Sequence, residues 1–250
     1  TEGKEPHAEA FIRLALIYMN SDKEKATEFL VEADRRIPGN STILFELTRL
    51  YNSQKKYISA VPVFERIRAN VDSRSNLVLT AEFYLSYGAT CERAGMHDKA
   101  EEIFLDCVGK FPDTHEALNY LAYMWAEQGK NLDRALTCVL KALEIEPDNG
   151  AYLDTLGWIY YKQKKYAEAL AEIQKANNIV KNDPVINEHL GDIMNALNKS
   201  DSALSYWKQS FILDTNTHSV VEKLITKGIN IEGLLKEAAK MRQSDRPEEE

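Results

Sequence analysis

The residues that could do covalent or metal chemistry are few, and their spacing works against it. Histidines stand at His7, His97, His115, His189 and His218. No two of them are four apart on one helix, the spacing that aims two imidazoles at one metal ion. His115-Glu116 opens like a zinc-hydrolase motif, but the second ligand position holds Asn119. Acidic neighbours such as Glu101-Glu102 fall on a helix face that the pattern leaves to solvent. No Gly-rich loop is present to cradle a phosphate. The three cysteines, Cys91, Cys107 and Cys138, are an odd number and make no paired framework. With no nucleophile–base pair and no ligand spacing, the chain reads as non-catalytic, with no cofactor and no metal.

The elements that carry these residues follow from composition. Eleven Gly and seven Pro in 250 residues lie below the usual shares of about 7% and about 5%. So few turn residues rule out many short strands joined by tight hairpins. With 44% hydrophobic and 28% charged residues, the chain reads as soluble and mostly helical. Thirty-one Lys and Arg against 39 Asp and Glu give a net charge of −8. That sign disfavours nucleic acid, which is held mainly by Lys and Arg displacing counterions. No run approaches 18 apolar residues, so no transmembrane helix is expected. The first residue is Thr1 rather than Met, which reads as a processed or trimmed chain whose leader or anchor would be out of sight.

A repeat of about 34 residues organises the whole. Its clearest copy carries Leu153, Leu156-Gly157, Tyr160, Ala169, Ile173 and Ala176. The next has Leu190-Gly191, Met194, Ala203, Trp207 and Ser210, and the preceding two centre on Leu121-Ala122 and Tyr87-Gly88. Looser copies centre on Leu47-Thr48 and Leu14-Ala15. Apolar residues at positions 4, 7, 8 and 11 of a copy make one helical stripe. Small residues at 8 and 20 let a second antiparallel helix come close, and Pro38, Pro112 and Pro147 end second helices. Asp183-Pro184 predicts a helix start, and Asp113 with Glu116 predicts a capping box. Cys91 and Cys107 occupy core positions 11 and 27 of one copy. Across the hairpin they are offset by about seven residues, roughly 10 Å, too far for a disulfide.

These residues resemble the tetratricopeptide repeat family over residues 8 to about 217. The resemblance implies an all-α, right-handed superhelical solenoid of about six helix-turn-helix repeats with a C-terminal capping helix. The expected organisation is an N-terminal tail at 1–7 and repeats at 8–40, 41–80, 81–114, 115–149, 150–183 and 184–217. Capping helices follow at 218–243 and an acidic tail at 244–250. The second copy is six residues too long around Ala69 to Asn76, which predicts a longer loop or extended helices. Pro62 inside its second helix should kink or loosen the first turn. The stretch from Leu118 to Trp207 is similar to a group of bacterial envelope repeat proteins. The similarity lies in Leu118-Asn119-Tyr120-Leu121-Ala122-Tyr123, Leu153-Asp154-Thr155-Leu156-Gly157-Trp158, Asp183-Pro184 and His189-Leu190-Gly191-Asp192. That group includes outer-membrane lipoproteins that act as adaptors for processing proteases, although this chain carries no lipobox cysteine.

In this family the first helices line a concave groove, with positions 2, 5, 6, 9, 12 and 13 pointing into it. The fourth copy then supplies Asn119, Tyr120, Tyr123 and Glu127. The fifth supplies Asp154, Thr155, Trp158, Tyr161 and Lys162, and the sixth Glu188, His189, Asp192 and Asn195. The first two supply Ile12, Leu16, Phe45, Glu46, Arg49 and Asn52. Aromatic rings give contact area at low entropy cost, and the carboxylates would attract Lys or Arg on a ligand. The Lys, Arg and Asn cluster that clamps C-terminal carboxylates elsewhere in the family is missing. The expected function is a protein-interaction scaffold or adaptor that holds a peptide segment or partner protein, with basic and apolar segments. The expected contacts are Asn119, Tyr120, Tyr123, Asp154, Trp158, Tyr161, Glu188, Asp192 and Asn195. The resemblance implies a bacterial periplasm or outer-membrane setting, with the cytoplasm as alternative. Two alternatives stand beside it. One is a self-assembling module that uses the apolar first helix, Phe11 to Met19, and the other is the regulatory half of a larger enzyme.

Overall fold

The computed structural model describes residues 5–73 and 79–244. All regular structure among the described residues is α-helical, in fourteen helices. Three hairpins come first: α1 (Glu5–Tyr18) with α2 (Lys23–Arg36), α3 (Ser41–Ser53) with α4 (Tyr57–Ser73), and α5 (Ala81–Arg93) with α6 (His97–Lys110). Next come α7 (His115–Glu127) and α8 (Leu132–Ile145), then α9 (Gly150–Lys162) packed on α10 (Tyr166–Ile179). The series ends with α11 (Pro184–Ala196) on α12 (Ser200–Leu213) and the pair α13 (His218–Thr226) and α14 (Ile231–Ser244). The chain divides into two compact units, Thr1–Ala117 and Leu118–Glu250. In the first, α2 also packs on α3 and α4 on α5; in the second, α8 packs on α9, α10 on α11, and α12 on both α13 and α14.

The repeat positions are the core. In the second unit Leu121, Ala122, Trp125, Ala135, Val139 and Ala142 are buried, as are Leu156, Ile159, Ala169, Ile173 and Ala176. Leu190, Ala203, Trp207 and Phe211 continue the seam. The first unit buries Ala15, Ala26, Leu30, Leu47, Ala60 and Phe64, then Tyr87, Cys91, Ala100, Phe104 and Cys107. The cysteines are free. Burial pushes the Cys91 thiol up to about 12, so it stays protonated and packs as a small apolar group.

Two devices recur along the chain. At Gly88 an added Cβ would come within 2.6 Å of the Phe104 ring, and at Gly157 and Gly191 it would overlap Ile173 and Trp207. These glycines are notches that admit the second helix. The first helices end in a 6→1 hydrogen bond, as in Met96 N to Cys91 O at 2.8 Å and Lys165 N to Tyr160 O at 2.9 Å. That bond needs the preceding residue in the left-handed region. Gly95 (φ 75°) meets the demand without strain, while Lys164 (φ 64°) and Asn198 (φ 60°) meet it with a side chain.

Several local expectations change. α1 begins at Glu5, inside the segment read as a tail. The long second copy places part of its extra length in α4, which runs 17 residues to Ser73 against 14 in the other second helices; residues 74–78 lie outside the described residues, as does most of the acidic tail. Pro62 sits within α4 without breaking it; Pro62 and Ile58 are both exposed, so water can satisfy the Ile58 carbonyl that the proline leaves without a donor. Helix α7 starts at His115, directly after Thr114. Asp183 caps α11 as expected, accepting from the Val185 and Ile186 amides at 2.8 and 3.0 Å, with Pro184 in the first turn.

The two glycine roles separate experimentally. Gly191→Ala forces a methyl into the Trp207 indole and should cost about 1–3 kcal/mol. Gly95→Ala meets no atom within 4 Å and should cost only the left-handed backbone penalty of about 1–2 kcal/mol. Urea unfolding followed by Trp fluorescence should show the larger loss for Gly191→Ala; equal or reversed losses would refute the packing-notch assignment.

Candidate functional site

The expected contact residues fall into two groups in the second unit. Asn119, Tyr120 and Tyr123 of α7 face Asp154 and Thr155 of α9 across a cleft of about 240 Å³, closed by Val180, Asp183, Val185 and Ile186. The period of the helix explains the grouping: Asn119 and Tyr123 are one turn apart, as are Ala151 and Thr155, so each pair shares a face. Asn119, which lines this cleft, has its Oδ1 buried with no hydrogen-bond partner among the described residues. Ala151 O accepts the Thr155 hydroxyl at 3.0 Å, which fixes that side chain along the wall.

Behind the cleft lies a polar and aromatic seam. Trp158 is only 6% exposed. Its ring lies parallel to Tyr161 at 4.6 Å and to His189 at 4.0 Å, with Lys162 Nζ 4.6 Å from the ring centre. Its indole N–H donates to a Glu127 carboxylate oxygen. His189 Nδ1 lies 2.9 and 3.0 Å from the two oxygens of Asp154. That two-oxygen geometry is met by a protonated Nδ1 donating to a carboxylate. One repeat further on, Lys223 of α13 donates to Glu188 and Asp192, both at 2.7 Å. Asp192 also accepts the Trp207 indole N–H at 2.9 Å. Asn195 is exposed near the end of α11 and belongs to neither group.

The structure therefore changes what the acidic residues offer. Asp154, Glu188 and Asp192 were expected to meet a ligand's Lys or Arg, but this chain's own His189 and Lys223 already match them. Trp158, Tyr161, Glu188 and Asp192 stack or bond within the seam, while Asn119, Tyr120, Tyr123 and Asp154 line the cleft. Sequence reasoning overlooked Lys223. A signal existed: Lys223 stands 35 residues after Glu188, the displacement that separates His189 from Asp154. A cleft in the first unit gathers four of the expected groove positions, Phe45, Glu46, Arg49 and Asn52 of α3, with Glu82, Phe83 and Ser86 of α5, which were not singled out, and encloses about 460 Å³. Among the described residues, no group of three His, Cys, Asp or Glu is placed to hold a metal ion, and no helix is long and apolar enough to cross a membrane.

Hairpins stacked through small-residue notches, with clefts along their first helices, define a helical repeat protein. The tetratricopeptide repeat family model matches residues 3–213, and the chain belongs to that family. A TPR repeat-containing protein of Methanocaldococcus jannaschii is 30% identical over 149 residues, 60% of this chain. The chain spans a quarter or less of the length of the curated relatives it matches. Among solved structures it resembles PilW, a widely conserved type IV pilus biogenesis factor, with a TM-score of 0.64 at 17% identity, covering 87% of this chain and 98% of that one. It also resembles the APC/C hetero-tetramer Cut9-Hcn1, with a TM-score of 0.66 at 15% identity, covering 92% of this chain and 42% of the other. These likenesses are of fold: an all-α tetratricopeptide solenoid.

The buried imidazole makes stability depend on pH in a defined sense. Burial pushes His189 down, but Asp154, helped by Asp192 and Glu127, outweighs it and holds the group above its ordinary 6.5. A pKa raised on folding contributes stability that is full below the unfolded value and is lost as pH rises through the folded value. Burial likewise raises Asp192 above 3.8, against the pull of Lys223, which acts in the same sense at lower pH. Thermal melts should therefore show a midpoint that falls as pH rises from 6 through the folded pKa of His189. His189→Gln should remove that fall, whereas His97→Gln, at an exposed position, should retain it. Parallel pH profiles for all three proteins would contradict this account.

Proposed function

We propose that the protein is a non-catalytic scaffold that binds a peptide segment or partner protein in the cleft formed by α7, α9 and α11. The observation that carries the reading is Asn119, whose Oδ1 is buried with no partner among the described residues and which lines a cleft with Tyr120, Tyr123 and Thr155. An amide without a partner suits a peptide N–H, and leaving it unmatched costs about 1–3 kcal/mol. Tyr120 and Tyr123 supply aromatic area, and Val180, Val185 and Ile186 an apolar wall. In this reading Trp158, Tyr161, Glu188 and Asp192 act through the seam: they hold α9 and α11 in place and do not touch the ligand.

A narrower version places the protein in a bacterial envelope, as an adaptor that brings a protease or assembly factor to its substrate. Its support is the motif pattern from Leu118 to Trp207; PilW, described as a pilus biogenesis factor, shares the fold. A second reading, self-association, is favoured by one observation on α1, where Leu16 and Ile17 are 50% and 70% exposed. Light scattering should then show a concentration-dependent mass that Ile17→Lys abolishes; a constant monomer mass would remove that reading.

The groove assignment is tested with peptides selected by phage display on the immobilised protein. Asn119→Ala and Tyr123→Ala should each weaken their binding roughly tenfold, about 1.4 kcal/mol, with helical content unchanged by circular dichroism. Asn195→Ala should bind as the parent does. Peptides that bind both cleft variants with parental affinity would place the ligand elsewhere.

A further inference from the structure

The larger of the two clefts lies in the first unit and shares no lining residue with the proposed site. Its floor is three phenylalanines from three helices, Phe45 on α3, Phe64 on α4 and Phe83 on α5. Phe83 meets Phe45 edge-on at 6.1 Å and Phe64 at 5.6 Å, and the three residues border a volume of about 460 Å³. That size lies within the range of pockets that bind small molecules and side chains, and apolar walls with a few polar groups are their usual lining. The cleft is also braced. Asn52 Nδ2 of α3 donates to the Thr90 hydroxyl of α5 at 2.9 Å, and that hydroxyl donates to Ser86 O at 2.6 Å. Two helices tied in this way lose little freedom when a ligand enters.

The charges at the rim decide what accompanies the apolar group. Arg49 donates twice to Glu46, at 3.0 and 2.8 Å, so these two neutralise each other. Glu82, exposed in the first turn of α5, has no ion-pair partner among the described residues. The positive end of the α5 dipole, roughly half a charge, offsets only part of its carboxylate, and Thr80 already caps that end by accepting from Phe83 N. The lining thus carries net negative charge around an aromatic floor, within a chain of net charge −8. Long-range attraction would then favour a cationic ligand and disfavour an anionic one.

We propose that the α3–α5 cleft is a second binding site, which takes a bulky apolar side chain flanked by Lys or Arg from a partner polypeptide. The apolar group lies on the phenylalanine floor and the flanking cation meets Glu82. The site is independent of the α7–α9–α11 cleft, and each unit thereby holds a separate segment of a partner.

Three labelled peptides test this on the full chain by fluorescence anisotropy: acetyl-Gly-Lys-Phe-Lys-Gly-amide, its Glu-flanked counterpart, and the version with Gly in place of Phe. The Lys-flanked Phe peptide should bind at least tenfold tighter than either control. Ser86→Trp, which fills the cleft from an exposed position, should reduce binding at least tenfold with unchanged circular dichroism. Glu82→Gln, the milder change, should erase most of the preference for Lys over Glu flanks. Tyr123→Ala, in the other cleft, should leave all three affinities unchanged. Equal binding of the Glu-flanked peptide, indifference to Ser86→Trp, or loss of binding in Tyr123→Ala would each overturn the proposal.

Discussion

Every hairpin depends on how closely its two helices can approach. Side chains on facing helices ordinarily hold the axes 8–10 Å apart, and a large residue at the crossing would push them further. Gly88, Gly157 and Gly191 remove that obstacle, so that Phe104, Ile173 and Trp207 rest directly on the first helix. Buried Ala15, Thr48 and Ala122 hold the same place in the other repeats. With the second helix seated there, the opposite side of each first helix faces its neighbour in the next repeat, as α9 faces α11. Groove and seam both follow from the notch.

Once first helices lie side by side, equivalent positions in adjacent repeats meet at a displacement of 35 residues. Asp154 meets His189, and Glu188 meets Lys223. Each contact pairs an acid with a base of the following helix, so charges that would repel or stand unsolvated become matched. Matched buried ions stabilise little in net terms, but removal of one partner is costly, which makes them good markers of register. Asp154, Glu188 and Asp192 are matched from within the chain, and in the proposed reading recognition falls to the tyrosines, the amide of Asn119 and the phenylalanine-lined cleft.

The fold was legible because it rests on local signals repeated six times. The stripe at positions 4, 7, 8 and 11, the small residue at 8 and the Asp183-Pro184 start each act within one hairpin, and each is visible in a short window. The site was legible only by position. Helical period and family pattern correctly gathered Asn119, Tyr120 and Tyr123 on one face, because residues one turn apart must share it. They did not reveal that Trp158 is stacked or that Lys223 occupies Glu188 and Asp192. Nothing in the spacing of one repeat states which side chains the next will cover.

By itself, the sequence determined the class of the molecule, a stack of helix hairpins, since periodicity and notch residues are properties of the chain alone. Which surfaces remain open was decided by the tertiary structure. Exposure is set by the pairing of residues 31 to 38 apart, as between Trp158 and Glu127, Glu188 and Lys223, or Asn52 and Thr90. Such pairings form only when one repeat packs on another. A carboxylate reads the same in sequence whether it faces water or a buried lysine, and only the packed neighbour distinguishes the two.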